Sequence, residues 1–424
     1  MTHLLMTTLV AIAALGADAN YDESKVPSYT LPDPLVGNDG TPVTDAKTWE
    51  TVRRPEVLKL METYMYGKMP PAPEKPLRFE VLEQSDDALG GIAVRRQVRI
   101  FFTDQPEPAM DLLIYRPKTN KPVPAFLALN FVGNQSIQPD EEITICRSWV
   151  LSGMGIVDHR ATEASRGARA SRWQVEMIVK RGYALATVCC GDIDPDFDDG
   201  YRNGIHPLID PMVGVKTGEG ETRPGDAPST ITAWSWGLSR VLDHLIADPA
   251  IDGDRVALLG HSRLGKTSLW AGANDPRFAI VVSNNSGCGG AALSRREYGE
   301  TIDRITTVFP HWFCGNLRGY ATKIGELPVD QHMLTSLIAP RPLYVASAEG
   351  DRWADPRGEF LSALGANPVY KLLGTEGLPA TEMPQVDQPV VGRIGYHMRT
   401  GKHDVTEFDW QQYLDFADKH LGKP

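Results

Sequence analysis

The stretch Leu258-Leu-Gly-His-Ser-Arg-Leu-Gly-Lys266 constrains this chain more than any other. Before it, Asp252-Gly-Asp-Arg255 reads as a turn and Val256-Ala-Leu-Leu259 as a continuous apolar run, the kind buried on both faces of a parallel sheet. After it, Leu264 to Ala273 holds helix formers, with no proline until Pro276. A serine at such a strand–turn–helix junction is thrown outward, beside the N–H groups that open the helix. The string departs from the common G-x-S-x-G, because Leu264 stands two places after Ser262 and the glycine follows at Gly265. So short a motif arises by chance, and a plain surface serine is the competing reading; the strand and helix flanks favour a displayed nucleophile.

A net charge of −11 argues against nucleic acid or an anionic membrane as partner, since neither is drawn to an acidic surface. A hydrophobic content of 42% supplies a large core. Residues Leu4 to Leu15 are apolar but too few to cross a bilayer, and Ala17-Asp-Ala19 fits a signal-peptidase site. Residues 1–19 are therefore read as a secretory signal, although a basic start is missing, with the mature chain beginning near Asn20. Five cysteines are few for a secreted chain of this size, and an odd number leaves at least one free. Cys189 and Cys190 read as core thiols; Cys288 and Cys314, in glycine-containing loops, are left open as a pair.

Residues 20–51 read as an extended arm, followed by a helix from Pro55 to a stop at Gly67. Ile92 to Phe102 and Met110 to Tyr115 alternate as antiparallel strands. Pro124 to Asn130 and Tyr183 to Cys190 are buried strands around a capping-box helix from Ser171 to Arg181, a βαβ rhythm that predicts a parallel sheet. The loop 131–135, with Gly133, sits where a second oxyanion donor arises in hydrolase sheets, and residues 138–170 form an inserted lid or rim. Asp192-Ile-Asp-Pro-Asp-Phe-Asp-Asp199 resembles a calcium loop at first sight, but Phe197 and Asn203 occupy the positions that need glycine and glutamate, so a loop above the strand ends is preferred. Ser229 caps a helix whose Ile231, Trp234, Leu238, Val241 and Leu245 form a buried stripe. Phe278 to Val282, Pro342 to Ala346 and Val390 to Ile394 give further strands. The whole predicts one α/β-hydrolase domain over residues 20–424, a three-layer sandwich with a mostly parallel central sheet and helices on both faces.

A serine hydroxyl needs a base, normally histidine, oriented by a carboxylate; in this fold the chain order is Ser, acid, His. Of the late histidines, His420 lies in the terminal helix and His397 close behind the last strand, both read as surface or satisfied positions. His403 falls in the loop that returns over the strand ends. The turn Glu349-Gly-Asp-Arg-Trp-Ala-Asp355 offers three acids: Asp351 is preferred, Glu349 is the alternative, and Asp355 before Pro356 reads as a cap. Arg263 and Lys266 put cations at a helix start, poorly placed against the dipole unless they serve the site. Arg263 is expected to stabilise the oxyanion and Lys266 to meet substrate hydroxyls.

With these residues assembled, the chain resembles the glucuronoyl esterases, which cleave the ester between 4-O-methyl-glucuronic acid on xylan and lignin alcohols. The similarity rests on Gly260-His-Ser-Arg-Leu-Gly-Lys266, Ser283-Asn-Asn-Ser-Gly-Cys-Gly-Gly290, Gly299-Glu300, His311-Trp-Phe313, Ala339-Pro-Arg-Pro342, Trp353-Ala-Asp-Pro356 and Lys402-His403. It implies Ser262 as nucleophile, His403 as base and Arg263 as oxyanion stabiliser, with Lys266, Glu300 and Trp353 around the uronate. Fungal members carry their catalytic glutamate where Asn285 stands, so here the acid is expected from the later loop. They also join two cysteines at the places of His261 and Asp404, a crosslink absent here. The expected substrate is glucuronoxylan with its lignin-carbohydrate esters, met by a monomer; the serine mechanism needs no metal, and no cofactor is expected. A deacetylase or other carboxylesterase on the same triad, or a silent carbohydrate-binding relative, are the alternatives.

Overall fold

The computed structural model describes residues 19–216 and 222–424, so the predicted signal lies, apart from Ala19, outside the described residues. Its frame is a ten-stranded sheet. The strands are β1 (Arg78–Asp87), β2 (Ala93–Phe101), β3 (Ala109–Pro117), β4 (Val123–Asn130), β5 (Ala184–Cys189), β6 (Ile251–His261), β7 (Ile280–Asn284), β8 (Leu343–Ala348), β9 (Val390–Val391) and β10 (Ile394–Arg399). Their spatial order is β1-β2-β3-β5-β4-β6-β7-β8-β10-β9. From β5 through β10 the neighbours run parallel, while β1, β2, β3 and β9 pair antiparallel.

Side-chain alternation along the central strands makes the three layers. Leu258 of β6 and Val281 of β7 point into the apolar cluster beneath α3 (Thr230–Ala247) and α4 (Arg263–Asn274), which Ile302 and Ile305 of α5 (Ile302–Val308) join. Ala257, Leu259 and Val282 point the other way, toward α2 (Val175–Lys180) and α7 (Glu407–Leu421). Both faces are covered, which is why β4 and β5 are buried at every position. The predicted stripe on α3 is buried throughout, Trp234 included, so its indole belongs to the core. Full burial of each such side chain contributes roughly 1.5–3 kcal/mol.

Three expectations need correction, one strand was not foreseen and one open cysteine pairing resolves. The Ser171 capping box does not form: a 3-10 turn spans Ala170–Arg172 and the helix starts at Val175, with no side-chain cap. β1 is an addition; its residues are mostly exposed, so it lacks the apolar signal of a central strand. The last long strand is β10, Ile394–Arg399, so His397 lies within it and not behind it. Cys288 and Cys314, the possible pair, are both free; Cys314 Sγ meets the Thr63 carbonyl at 3.6 Å instead. The arm also ends sooner than expected: Ala46–Thr48 is already helical, Trp49–Arg53 forms a wider turn, and α1 (Arg54–Met61) continues through a second wider turn to Gly67, whose positive φ of 86° ends it. The arm crosses the surface ahead of it, where His332 meets the Pro32 carbonyl at 2.7 Å.

Candidate active site

β6 delivers Ser262 into a backbone conformation of φ 59°, ψ −131°, rare for any residue but glycine, and α4 begins at the next position. The surrounding contacts enforce that strain. Ser262 N–H donates to the Asn284 carbonyl at 2.9 Å, while a Cβ at Gly260 would stand 1.9 Å from the Leu264 carbonyl oxygen. A Cβ at Gly265 would stand 2.9 Å from that of Ser286. The displaced second glycine thus has a steric reason: α4 rises so close to the ends of β6 and β7 that only glycine fits at both places.

His403 leaves the loop between β10 and α7, and its Nδ1 lies 2.6 Å from Asp351 Oδ2. Asp351 follows β8 and is buried, whereas the imidazole side chain is 41% exposed. The same carboxylate oxygen accepts from Asn285 Nδ2 at 2.8 Å. Asn285, at φ 47°, therefore supports the acid instead of supplying one. Glu349 is exposed, and Asp355 caps α6 (Pro356–Gly365) through the Gly358 N–H at 3.0 Å while pairing with Arg296 at 2.7 Å. Ser262 and His403 line the same two cavities. Beside them, His261 is held by Asn284 at 2.6 Å, its ring centroid 4.5 Å from that of His403. Burial first, and the neighbouring His403 second, keep His261 well below the usual histidine range, so it stays neutral.

Arg263 turns its guanidinium back across the site. Its Nη1 donates to Asp196 Oδ2 at 2.6 Å and its Cζ lies 4.3 Å from the Trp312 ring centre. Nε is buried without a hydrogen-bond partner among the described residues. The backbone N–H groups of Arg263 and Leu264, first in α4, have no acceptor within the helix. Asp196, which holds Arg263, is the member of this cluster that sequence reasoning missed. Burial alone would raise its carboxyl, but Arg263, His311 and Trp312 hold it down to about 2, and His311 and Trp312 meet it at 3.0 and 2.7 Å. The acidic run 192–199, calcium-like in its spacing, instead divides its carboxylates: Asp192 accepts from Ser148, Asp194 faces His206, and Asp196 serves Arg263. Alternating acids in a loop above strand ends were the available signal; the distant partner Arg263 was not readable.

On one side of Ser262 a cavity of about 370 Å³ is lined by Lys266, Glu300, Trp312 and Trp353 with Asp351 and His403. Lys266 Nζ donates to the Ser286 carbonyl at 2.5 Å and stands 3.9 Å from Glu300. Burial lowers the lysine and raises the glutamate, each opposed by the other's charge. Lys266, Glu300 and Trp353 are thus brought together with the Ser–His–Asp set. On the other side lies a cavity of about 200 Å³ lined by Phe131, Val132, Leu151, Arg172 and Trp173. The loop after β4 and the insertion both reach it, and Arg172 pairs with Asp404, next to His403, at 2.5 Å.

A family model described as "Glucuronyl esterase, fungi" matches residues 224–374. "Carbohydrate esterase MZ0003" of an unknown prokaryotic organism is 53% identical over 406 residues, covering 95% of this chain and 92% of its own. Among solved structures, a "promiscuous CE15 esterase from the marine bacterial metagenome" is 52% identical with a TM-score of 0.88, covering 95% of this chain and all (100%) of its own. A "Glucuronoyl Esterase from Solibacter usitatus" is 48% identical with a TM-score of 0.87, covering 94% of this chain and 100% of its own. An α/β-hydrolase sheet, a strained serine ahead of α4 and this degree of likeness over nearly the full length place the chain in the glucuronoyl esterase family of carboxylic ester hydrolases.

Proposed function

We propose that this chain hydrolyses the ester joining (4-O-methyl-)glucuronic acid of xylan to a lignin alcohol, through an acyl-enzyme on Ser262. The observation that carries the reading is the 2.6 Å contact between Asp351 and His403 Nδ1 at a cavity shared by Ser262, Lys266, Glu300 and Trp353. Asp351 fixes the tautomer that leaves His403 Nε2 free to take the Ser262 proton. As Oγ attacks the ester carbonyl, negative charge grows on its oxygen, where Arg263 and the first N–H groups of α4 can donate. His403 then protonates the departing alcohol, and a water deprotonated by the same ring releases the acid. Trp353 offers a ring face for the sugar, while Lys266 and Glu300 offer charged partners for its hydroxyls.

Neutral ester and charged product are treated differently by an acidic protein: the substrate meets no repulsion, and the released uronate is pushed outward. Secretion through the 1–19 leader and action as a monomer belong to the same proposal, since such a polymer lies outside the cell. Turnover of benzyl glucuronate by the parent chain, lost by more than ~10⁴-fold in Ser262→Ala, is the expected result. Retained turnover in that variant would refute the mechanism. The second reading, a broader carboxylesterase, is favoured by the likeness to the marine bacterial esterase described as promiscuous. Faster cleavage of an aryl acetate than of the glucuronate ester would select it.

A further inference from the structure

At the C-terminal end of β5 a second cluster of reactive side chains forms, none of which lines the Ser262 cavities. Cys189 comes from the strand itself, Asp192 from the helical turn Cys190–Ile193 that follows, and Cys146 from the insertion. Their two sulfurs and a carboxylate oxygen all lie within 4.8 Å of one another. Asp192 is half-buried and forms no ion pair among the described residues. Its Oδ1 accepts from Ser148 Oγ at 2.6 Å and from Cys146 Sγ at 3.6 Å, and its Oδ2 from the Asp111 N–H at 3.1 Å. A carboxylate so placed has hydrogen-bond donors but no compensating cation. The three segments are also fixed by their packing. Cys146 N–H donates to Gln135 Oε1 at 3.0 Å, and a Cβ at Gly133 would run into that of Cys146. One at Gly191 would run into the Trp149 carbonyl, so the insertion lies tight against the turn that carries Asp192.

We propose that Cys146, Cys189 and Asp192 hold a zinc ion as a structural clasp between the insertion and the end of β5, with water in the remaining position. Zinc sits tetrahedrally at about 2.3 Å from sulfur and about 2.0 Å from oxygen, which requires a sulfur–oxygen separation of roughly 3.5 Å. Cys146 Sγ and Asp192 Oδ1 stand 3.6 Å apart. Two thiols disfavour calcium and magnesium, which take oxygen ligands, and select a softer ion. Binding forms two Zn–S bonds and one Zn–O bond and releases both thiol protons to solvent, with no change of oxidation state. The ion takes no part in ester cleavage. It braces the start of the acidic run, in which Asp196, the partner of Arg263, follows Asp192.

The test is metal content. The full chain is stripped with a chelator, dialysed against zinc chloride and freed of excess, and zinc is then counted per chain in the parent, in Cys146→Ser and in Asp192→Asn. The parent should retain about one zinc per chain, held about 100-fold more weakly in each variant. Zinc at a 100-fold excess over Kd should raise the parent's melting temperature by about 3–5 °C and leave that of Cys146→Ser in place. Cadmium in place of zinc should bring a thiolate-to-metal absorption band in the ultraviolet that Cys146→Ser lacks. A parent chain that retains no zinc, a result that needs no variant to fold, would overturn the clasp. So would equal zinc in all three proteins, or a Cys146–Cys189 disulfide in the parent as isolated. Ester turnover is not a readout, so the outcome stands apart from the esterase reading.

Discussion

Two histidine–aspartate pairs lie six residues apart along the chain at the histidine, and only one of them opens on a cavity. His403 with Asp351 at 2.6 Å sits at the cavity of Ser262, its imidazole side chain 41% exposed. His397 with Asp409 at 2.9 Å is buried in β10 and α7 with nothing to attack. Asp409 also holds Arg399 at 2.6 Å, accepts from the Thr406 N–H at 2.7 Å to close the capping box of α7, and meets Asn284 at 3.2 Å. Every valence of that carboxylate is spent on backbone and core. By contrast, Asp351 accepts from His403 and Asn285 alone among the described side chains, and His403 Nε2 has no hydrogen-bond partner among the described residues. A histidine–carboxylate contact is therefore not a signature of catalysis; the free second nitrogen is.

The largest expected effect separates the pairs outright. His403→Ala should lower kcat on a glucuronate ester by ~10⁴-fold with melting temperature unchanged. An equal rate loss in a folded His397→Ala protein would break the distinction. Next, Asp351→Asn should cost ~10³-fold in kcat, while Glu349→Gln, an exposed side chain, stays within about 2-fold; the reverse ordering would move the acid along its loop. Asp409→Asn should cost about 3–5 kcal/mol of stability in a denaturant titration, through Arg399 and His397 left with an impaired partner, and little kcat per folded molecule.

A smaller effect concerns pH. Glu359 of α6, behind the site, is buried against Ser347 and the Gly287 N–H at 2.6 and 2.9 Å, and burial pushes its carboxyl up to about 8 from 4.5. The folded protein holds that proton while the unfolded chain releases it above 4.5, so this group's contribution to stability falls as pH rises toward 8 and then levels off. Thermal scans across that interval should show a flatter pH dependence in Glu359→Gln than in the parent. Parallel curves would mean that Glu359 ionises normally in the fold.

Much of this molecule was legible because local chemistry and global position agree at the right places. The apolar run before Ser262, the loop position of His403 and the order of the three groups needed no distant partner to be read. What escaped depends on contacts between segments far apart in sequence. Asp196 meets Arg263 across 67 positions, and Asn285 reaches Asp351 across 66, neither marked by any local pattern. β1 escaped for another reason: as an edge strand with mostly exposed residues it obeys no burial period. The Ser171 box failed because the chain there follows the insertion, which bonds Arg169 N–H to the Ser136 carbonyl at 2.8 Å and delays the helix.

Ser262, Arg263 and His403 are the three residues that face both the chamber of Lys266 and the one of Phe131. A carbonyl held at Ser262 would have a chamber on each hand, and the two halves of an ester could be lodged apart before the bond between them is broken.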